Sequence, residues 1–218
     1  MIVTKQKELE DIIKKIRGSV FIFGCGICSD TSRTGGPKEV AAMRDVLEGK
    51  NIHVNGTYVI DAMCHLQKVK KALRDNKEFI AGSDSILVLS CGSGVQSAVN
   101  ALDNSKMVIS CVDTMFLGNI ENLSSLKEMC SLCGQCVLNE TGGICPVTLC
   151  PKGLLNGPCG GMKNYKCEVD ENLDCAWVKI YERAVILNTT ADIKTIAKPK
   201  DYSVKKPVMA VKFTGSHK

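Results

Sequence analysis

Eight of the chain's 13 cysteines fall between Cys130 and Cys175. They open as C-x2-C-x2-C at Cys130, Cys133 and Cys136 and continue at Cys145, Cys150, Cys159, Cys167 and Cys175. Gly134, Gly142, Gly143, Pro146, Pro151, Gly157, Pro158, Gly160 and Gly161 are interspersed, so neither helical nor strand periodicity can bury a core here. Bonds from thiolates to a metal would order such a segment instead. An odd number of cysteines excludes complete internal pairing, and clustered thiols in a reducing compartment point to metal binding or catalysis rather than disulfides.

The spacing also bears on which metal. C-x2-C-x2-C is the opening of bacterial ferredoxin runs, whose last cysteine is followed by proline. Here that dipeptide occurs twice, as Cys145-Pro146 and Cys150-Pro151, after longer gaps. Zinc sites usually show two C-x2-C pairs or histidine partners, and His53, His65 and His217, the only histidines, all lie outside the segment. Cysteine-only ligation around this opening favours [4Fe–4S]. Zinc held by four thiolates stands as the alternative at one site.

The other five cysteines sit just past short apolar runs. Cys25 and Cys28 follow Ser19–Phe23, Cys64 follows Tyr58–Asp61, Cys91 follows Ser85–Ser90, and Cys111 follows Lys106–Ser110. Between the runs lie segments with helical signals. One starts at Thr34-Gly35-Gly36-Pro37 and stops at Gly49, a second covers Leu66 to Glu78, and a third covers Val95 to Leu102. This alternation predicts a parallel-sheet α/β domain of the flavodoxin/Rossmann-like kind. Open parallel sheets bind ligands outside the carboxyl ends of their strands. Cys25, Cys28, Cys64 and Cys91 would therefore make one metal or cofactor site. They complete four ligands, which leaves Cys111 as a small buried hydrophobe. Gly92-Ser93-Gly94 lacks the full dinucleotide fingerprint and reads as a tight turn beside Cys91.

The opening MIVTKQKELEDIIKKI predicts an amphipathic helix without a secretory apolar stretch, and no run approaches the ~20 apolar residues of a membrane span. A cytoplasmic protein is expected. Asn119 to Met129 reads as a polar helix or linker. Asp174 is the expected cap of a helix from Cys175 to about Leu187, with Trp177, Ile180, Tyr181, Ala184 and Val185 on one apolar face. The net charge of +5 resides in residues 191–218, seven lysines against two aspartates, and the remainder is neutral. Nucleic-acid binding by the folded body is thus not indicated. That last stretch reads as a mobile basic arm, with Val208–Phe213 able to order on a partner. The expected organisation is an α/β domain over 1–122, a cysteine-rich iron–sulfur module with a closing helix over 123–187, and a basic tail over 188–218.

The string CSLCGQCVLNETGGICPVTLCPKGLLNGPCGG, with Cys167, Cys175 and the AWVKIYER helix, resembles the methylenetetrahydrofolate reductase C-terminal domain family. FGCGIC, DAMCH and LSCGSG in the front half are similar to that family's cysteine-bearing strand ends, so the resemblance spans roughly residues 15–187. It implies a small accessory subunit, with two to three [4Fe–4S] clusters or zinc in place of one. The implied partner is a flavin-containing methylenetetrahydrofolate reductase subunit, with a further redox subunit as an additional candidate. The implied role is electron relay to or from that flavin in one-carbon metabolism; a zinc scaffold without redox role is the alternative. A folate-binding (β/α)8 barrel needs about 250 residues and a different pattern, so this chain alone is not expected to turn over folate.

Overall fold

The computed structural model describes residues 1–102, 106–122 and 125–205, and Val208–Phe213 lies outside them. The chain divides into two units, Met1–Lys127 and Glu128–Lys218. The first begins β1 (Ile2–Gln6), α1 (Leu9–Ile13), β2 (Val20–Cys25), α2 (Cys28–Thr31) and α3 (Pro37–Gly49). It continues β3 (Val54–Ile60), α4 (Leu66–Asp75), α5 (Lys77–Ala81), β4 (Ser85–Leu89), α6 (Gly92–Ala101) and β5 (Met107–Ser110). Two further strands follow, β6 (Val112–Asn122) and β7 (Ser125–Cys130), and β7 ends on the first cysteine of the C-x2-C-x2-C run.

Every residue of β2 and of β4 is buried, as continuous apolar strands covered on both faces must be. They lie side by side at the centre of a four-stranded parallel sheet of order β3-β2-β4-β5. From β2 the chain steps to β3 on one side, then crosses back to β4 on the other. Strand order therefore reverses between β2 and β4. Side chains alternate across the sheet: Val20, Ile22, Leu87 and Leu89 pack with Val40, Met43 and Leu47 of α3. Phe21, Phe23, Ile86 and Val88 pack with Val69, Ala72, Ile80 and Ala98 from α4 to α6 on the opposite face. Helices on opposite faces for opposite directions of travel are what right-handed crossovers require.

Three expectations change. The opening is not one helix: Ile2–Gln6 pairs antiparallel with β6, and only Leu9–Ile13 is helical. Within Asn119–Met129, residues 119–122 and 125–129 are strand in β6 and β7, part of a second sheet of order β1-β6-β7. In β6 only Val112 and Gly118 are buried, so the polar composition belongs to the solvated face of an antiparallel sheet, not to a linker. The charged helix after Cys64 is two helices, α4 and α5, meeting at Asn76.

The loop joining Cys28 to α3 is pinned by close backbone approach. Cys25 N–H donates to the Gly35 carbonyl at 2.9 Å, and a Cβ on Gly35 would lie 2.0 Å from the Leu89 carbonyl oxygen. Gly36 N–H donates to Glu39 Oε2 at 3.0 Å, and Pro37 opens α3 with its φ already set. Because a backbone carbonyl cannot swing aside, Gly35→Ala should cost about 1–3 kcal/mol. Urea unfolding of the variant will read this, and an unchanged midpoint would mean that the loop is free to lift off the strand ends.

Candidate metal centres

In the first unit, four thiols reach the carboxyl edge of the parallel sheet on separate backbone supports. Cys25 is the last residue of β2 and is buried. Cys28 starts the single turn of α2. Cys64 lies in the turn after β3, exposed to solvent, and Cys91 is the buried N-cap residue of α6 just past β4. Gly26 N–H donates to the Ile60 carbonyl at 2.9 Å, tying the end of β2 to the end of β3. Gly92 N–H donates to Thr114 Oγ1 at 2.8 Å, which anchors the start of α6.

The Cys64 thiol is pushed up first by partial burial, then by the charges of Cys91, Cys25 and Cys28. All three other thiols thus stand close enough to act on it. Asp61, in the same turn, is engaged by Lys68. His65 accepts from Lys68 N–H at 3.4 Å as the N-cap of α4.

Cys111 belongs elsewhere. It is fully buried, on the opposite face of the sheet among Ile12, Leu87, Leu89 and Ile109. Its Sγ–H donates to the Ile109 carbonyl at 3.7 Å, and burial pushes its thiol up to about 12.

The second unit has a different construction. It holds α7 (Pro146–Leu149) and α8 (Ala176–Ile186), and its cysteines sit on turns. Leu132 and Gly134 take left-handed φ values of 52° and 82°, which bend the chain between Cys130, Cys133 and Cys136. Leu132 N–H donates to Cys130 Sγ at 3.4 Å. Partial burial acts to raise the Cys133 thiol, but a bond to the Lys200 side chain and the Gln135 backbone outweigh it, so the thiol is lowered overall. Cys145 and Cys150 bracket the single turn of α7. Cys159 is exposed between the left-handed Gly157 and Gly160. Cys167 N–H donates to the Leu173 carbonyl at 2.9 Å and Cys175 N–H to that of Tyr165 at 2.8 Å, which closes a loop between them.

Residues 109–203 match the family described as "Methylene-tetrahydrofolate reductase C terminal". The matched span contains all eight cysteines from Cys130 to Cys175 and leaves out Cys25, Cys28, Cys64 and Cys91. No curated protein matches the chain.

Within the matched residues, two expectations about α8 change. Asp174 does not cap the helix: its carboxylate joins Lys166 and Lys179, each at 2.6 Å, and is held down to about 2 by them, Lys166 foremost. Trp177, Ile180 and Ala184 are buried, but Tyr181 and Val185 are exposed, since the covered stripe is narrower than the apolar one. The beginning of the tail is also fastened. Asn156 exchanges two hydrogen bonds with the backbone of Ala197, at 2.7 and 3.2 Å, and Lys200 Nζ donates to the Gln135 carbonyl.

Among the described residues, no three cysteine, histidine or carboxylate groups already stand in an arrangement that would hold an ion. In the first unit the backbone nevertheless gathers four thiols at one edge, and the donor chemistry fits a thiolate-ligated centre. Ser29 and Ser90, adjacent in sequence to Cys28 and Cys91, each bury a hydroxyl with no hydrogen-bond partner. Sequence reasoning passed over these serines and Lys200, because an isolated serine or a tail lysine carries no periodic signal. In the second unit the donors are again all sulfur, distributed over successive turns.

The buried thiol of Cys111 makes a prediction about pH. Its folded pKa, about 12, lies above the ordinary value of 9.0, so the folded state keeps its proton longer than the unfolded chain does. Its contribution to stability is intact below pH 9.0 and is lost as pH rises toward about 12. The loss should reach at most roughly 4 kcal/mol. Chemical denaturation of wild type and Cys111→Ala should therefore differ in alkaline slope, the variant being flatter; parallel curves would contradict the burial of this thiol.

Proposed function

We propose that the chain is an iron–sulfur electron-transfer subunit working beside a flavin-containing methylenetetrahydrofolate reductase subunit. The reaction served is reduction of methylenetetrahydrofolate to methyltetrahydrofolate. The observation that carries this reading is the convergence of Cys25, Cys28, Cys64 and Cys91, an all-sulfur donor set, where strand order reverses. The family match over residues 109–203 supports the link to a reductase.

In this reading Cys25, Cys28, Cys64 and Cys91 hold one [4Fe–4S] cluster. Cys130, Cys133 and Cys136 hold a second with a proline-followed cysteine, Cys145 or Cys150. The remaining cysteines of the module, among them Cys159, Cys167 and Cys175, supply ligands for a third or for zinc. Such centres exchange single electrons at potentials set by charge, burial and hydrogen bonds to their sulfurs. The chain's own residues contribute those settings. Phe23 and Met63 exclude water behind the first site, and Leu132 N–H and Lys200 place positive partial and full charge against Cys130 and Cys133. The described parallel sheet has four strands and is open, so folate chemistry is assigned to the partner and not to this chain.

Protein purified without oxygen should be brown and release both iron and acid-labile sulfide. It should also co-purify with a flavin reductase subunit when the two are expressed together. Cys133→Ser should lose iron from the second unit while the α/β unit keeps its cooperative unfolding. Zinc without iron or sulfide would replace the relay by a scaffold, and iron content unchanged in Cys133→Ser would remove that cysteine from the ligands.

A further inference from the structure

We infer that the hydroxyls of Ser90 and Ser29 are hydrogen-bond donors to the sulfurs of the centre held by Cys25, Cys28, Cys64 and Cys91. The inference rests on the reading of that site as a metal–thiolate centre. Its starting point is a mismatch: among the described residues, these are the two buried side-chain oxygens without a partner. Each residue is 1 % exposed. Leaving a buried donor unpaired is unfavourable, so an orphan in a native core asks for a missing acceptor. Both orphans are sequence neighbours of candidate ligands.

Position within the sheet supports the assignment for Ser90. Gly24 of β2 lies beside Leu89 of β4, and one residue further the parallel register brings Ser90 beside Cys25. Side chains two apart along a strand share a face. Ser90 thus shares the face of Val88, and Cys25 and Val88 lie in the same buried cluster with Met63. A Cβ built on Gly94 would lie 2.2 Å from Ser90 Oγ and 2.8 Å from Met63 Cβ. Ser90 Oγ is therefore lodged between the residue preceding Cys64 and the first turn of the helix that Cys91 caps. Gly94 leaves the room it occupies.

Ser29 is held by the loop that crosses the strand ends. Its carbonyl accepts from Thr34 N–H at 2.8 Å, Gly35 N–H at 3.2 Å and Thr34 Oγ1 at 3.2 Å, so the carbonyl is fully engaged. Its buried hydroxyl has no partner. Sulfide and metal-bound thiolate are acceptors without donors of their own, and a hydroxyl can rotate to meet them. Donation to cluster sulfur stabilises the more negative, reduced state and so raises the reduction potential.

The test uses the full-length protein purified without oxygen, with Ser90→Ala and Ser29→Ala prepared in parallel so that a folding failure of one leaves the other. In a potentiometric titration followed by electron paramagnetic resonance, each variant should shift one centre to more negative potential. Signals from the second unit, unmoved, serve as internal reference. Each variant should also surrender its first-site metal to a chelator faster than wild type. If either folded variant keeps wild-type potential and metal retention while its metal-free form becomes more stable, that hydroxyl is a plain packing defect and the inference fails for it. Wild type carrying zinc without iron would overturn the relay reading alone, since faster zinc loss from the variants would still report the hydrogen bonds and unchanged loss would end the inference.

Discussion

The parallel ladder between β2 and β4 is the interaction on which the rest of the first unit depends. Both strands are buried along their whole length, so their register cannot slip without turning apolar side chains out of two packed faces. That register fixes where the strands stop: Cys25 ends β2, and Ser90 and Cys91 lie just beyond β4. The neighbouring ladder to β3 brings in the turn with Cys64 by the same logic. The thiols share an edge because four strands run in one direction, although they are far apart along the chain.

Close approach of backbone completes the arrangement. Gly24 lies against the Gly35 carbonyl and Val40, with 2.5 Å from its would-be Cβ to each, and Gly35 lies against Leu89. These contacts draw the loop after Cys28 down onto the ends of β2 and β4, leaving no space for a side chain. Glycine here serves proximity, not turn geometry, since neither residue has a left-handed φ. The loop is accordingly a fixed wall of the site.

The second unit obeys a different physics. Its buried apolar residues are few, chiefly Ala176, Trp177, Ile180 and Ala184 of α8. Its remaining order comes from turns, the one-turn α7, hydrogen bonds such as that from Trp177 Nε1 to the Leu154 carbonyl at 2.9 Å, and exposed ion pairs. Exposed pairs contribute little each. In the proposed reading such a segment would gain stability from the centre its thiolates hold, because ligation free energy becomes folding free energy. The two units thus relate fold and site in opposite senses: in one the sheet gathers the sulfurs, in the other a bound centre would gather the chain.

What the sequence determined by itself was chemistry and local pattern. The all-cysteine donor sets, the scarcity of histidine, and the apolar runs that became β2, β4 and β5 are properties of neighbouring residues, readable without a fold. Tertiary structure decided everything that depends on pairing between distant segments. It turned Ile2–Gln6 into a strand, because that segment found its partner in β6 across more than a hundred residues, and it set the polar stretch near Asn119 into the same β1-β6-β7 sheet. It drew Asp174 away from the helix cap to Lys166 and Lys179. It also separated Cys111, on one face of the sheet, from Cys25 on the other, although both stand at the carboxyl end of a strand. Side-chain alternation is local, but which face meets which helix is set by the path of the crossovers, and no window of sequence contains that path.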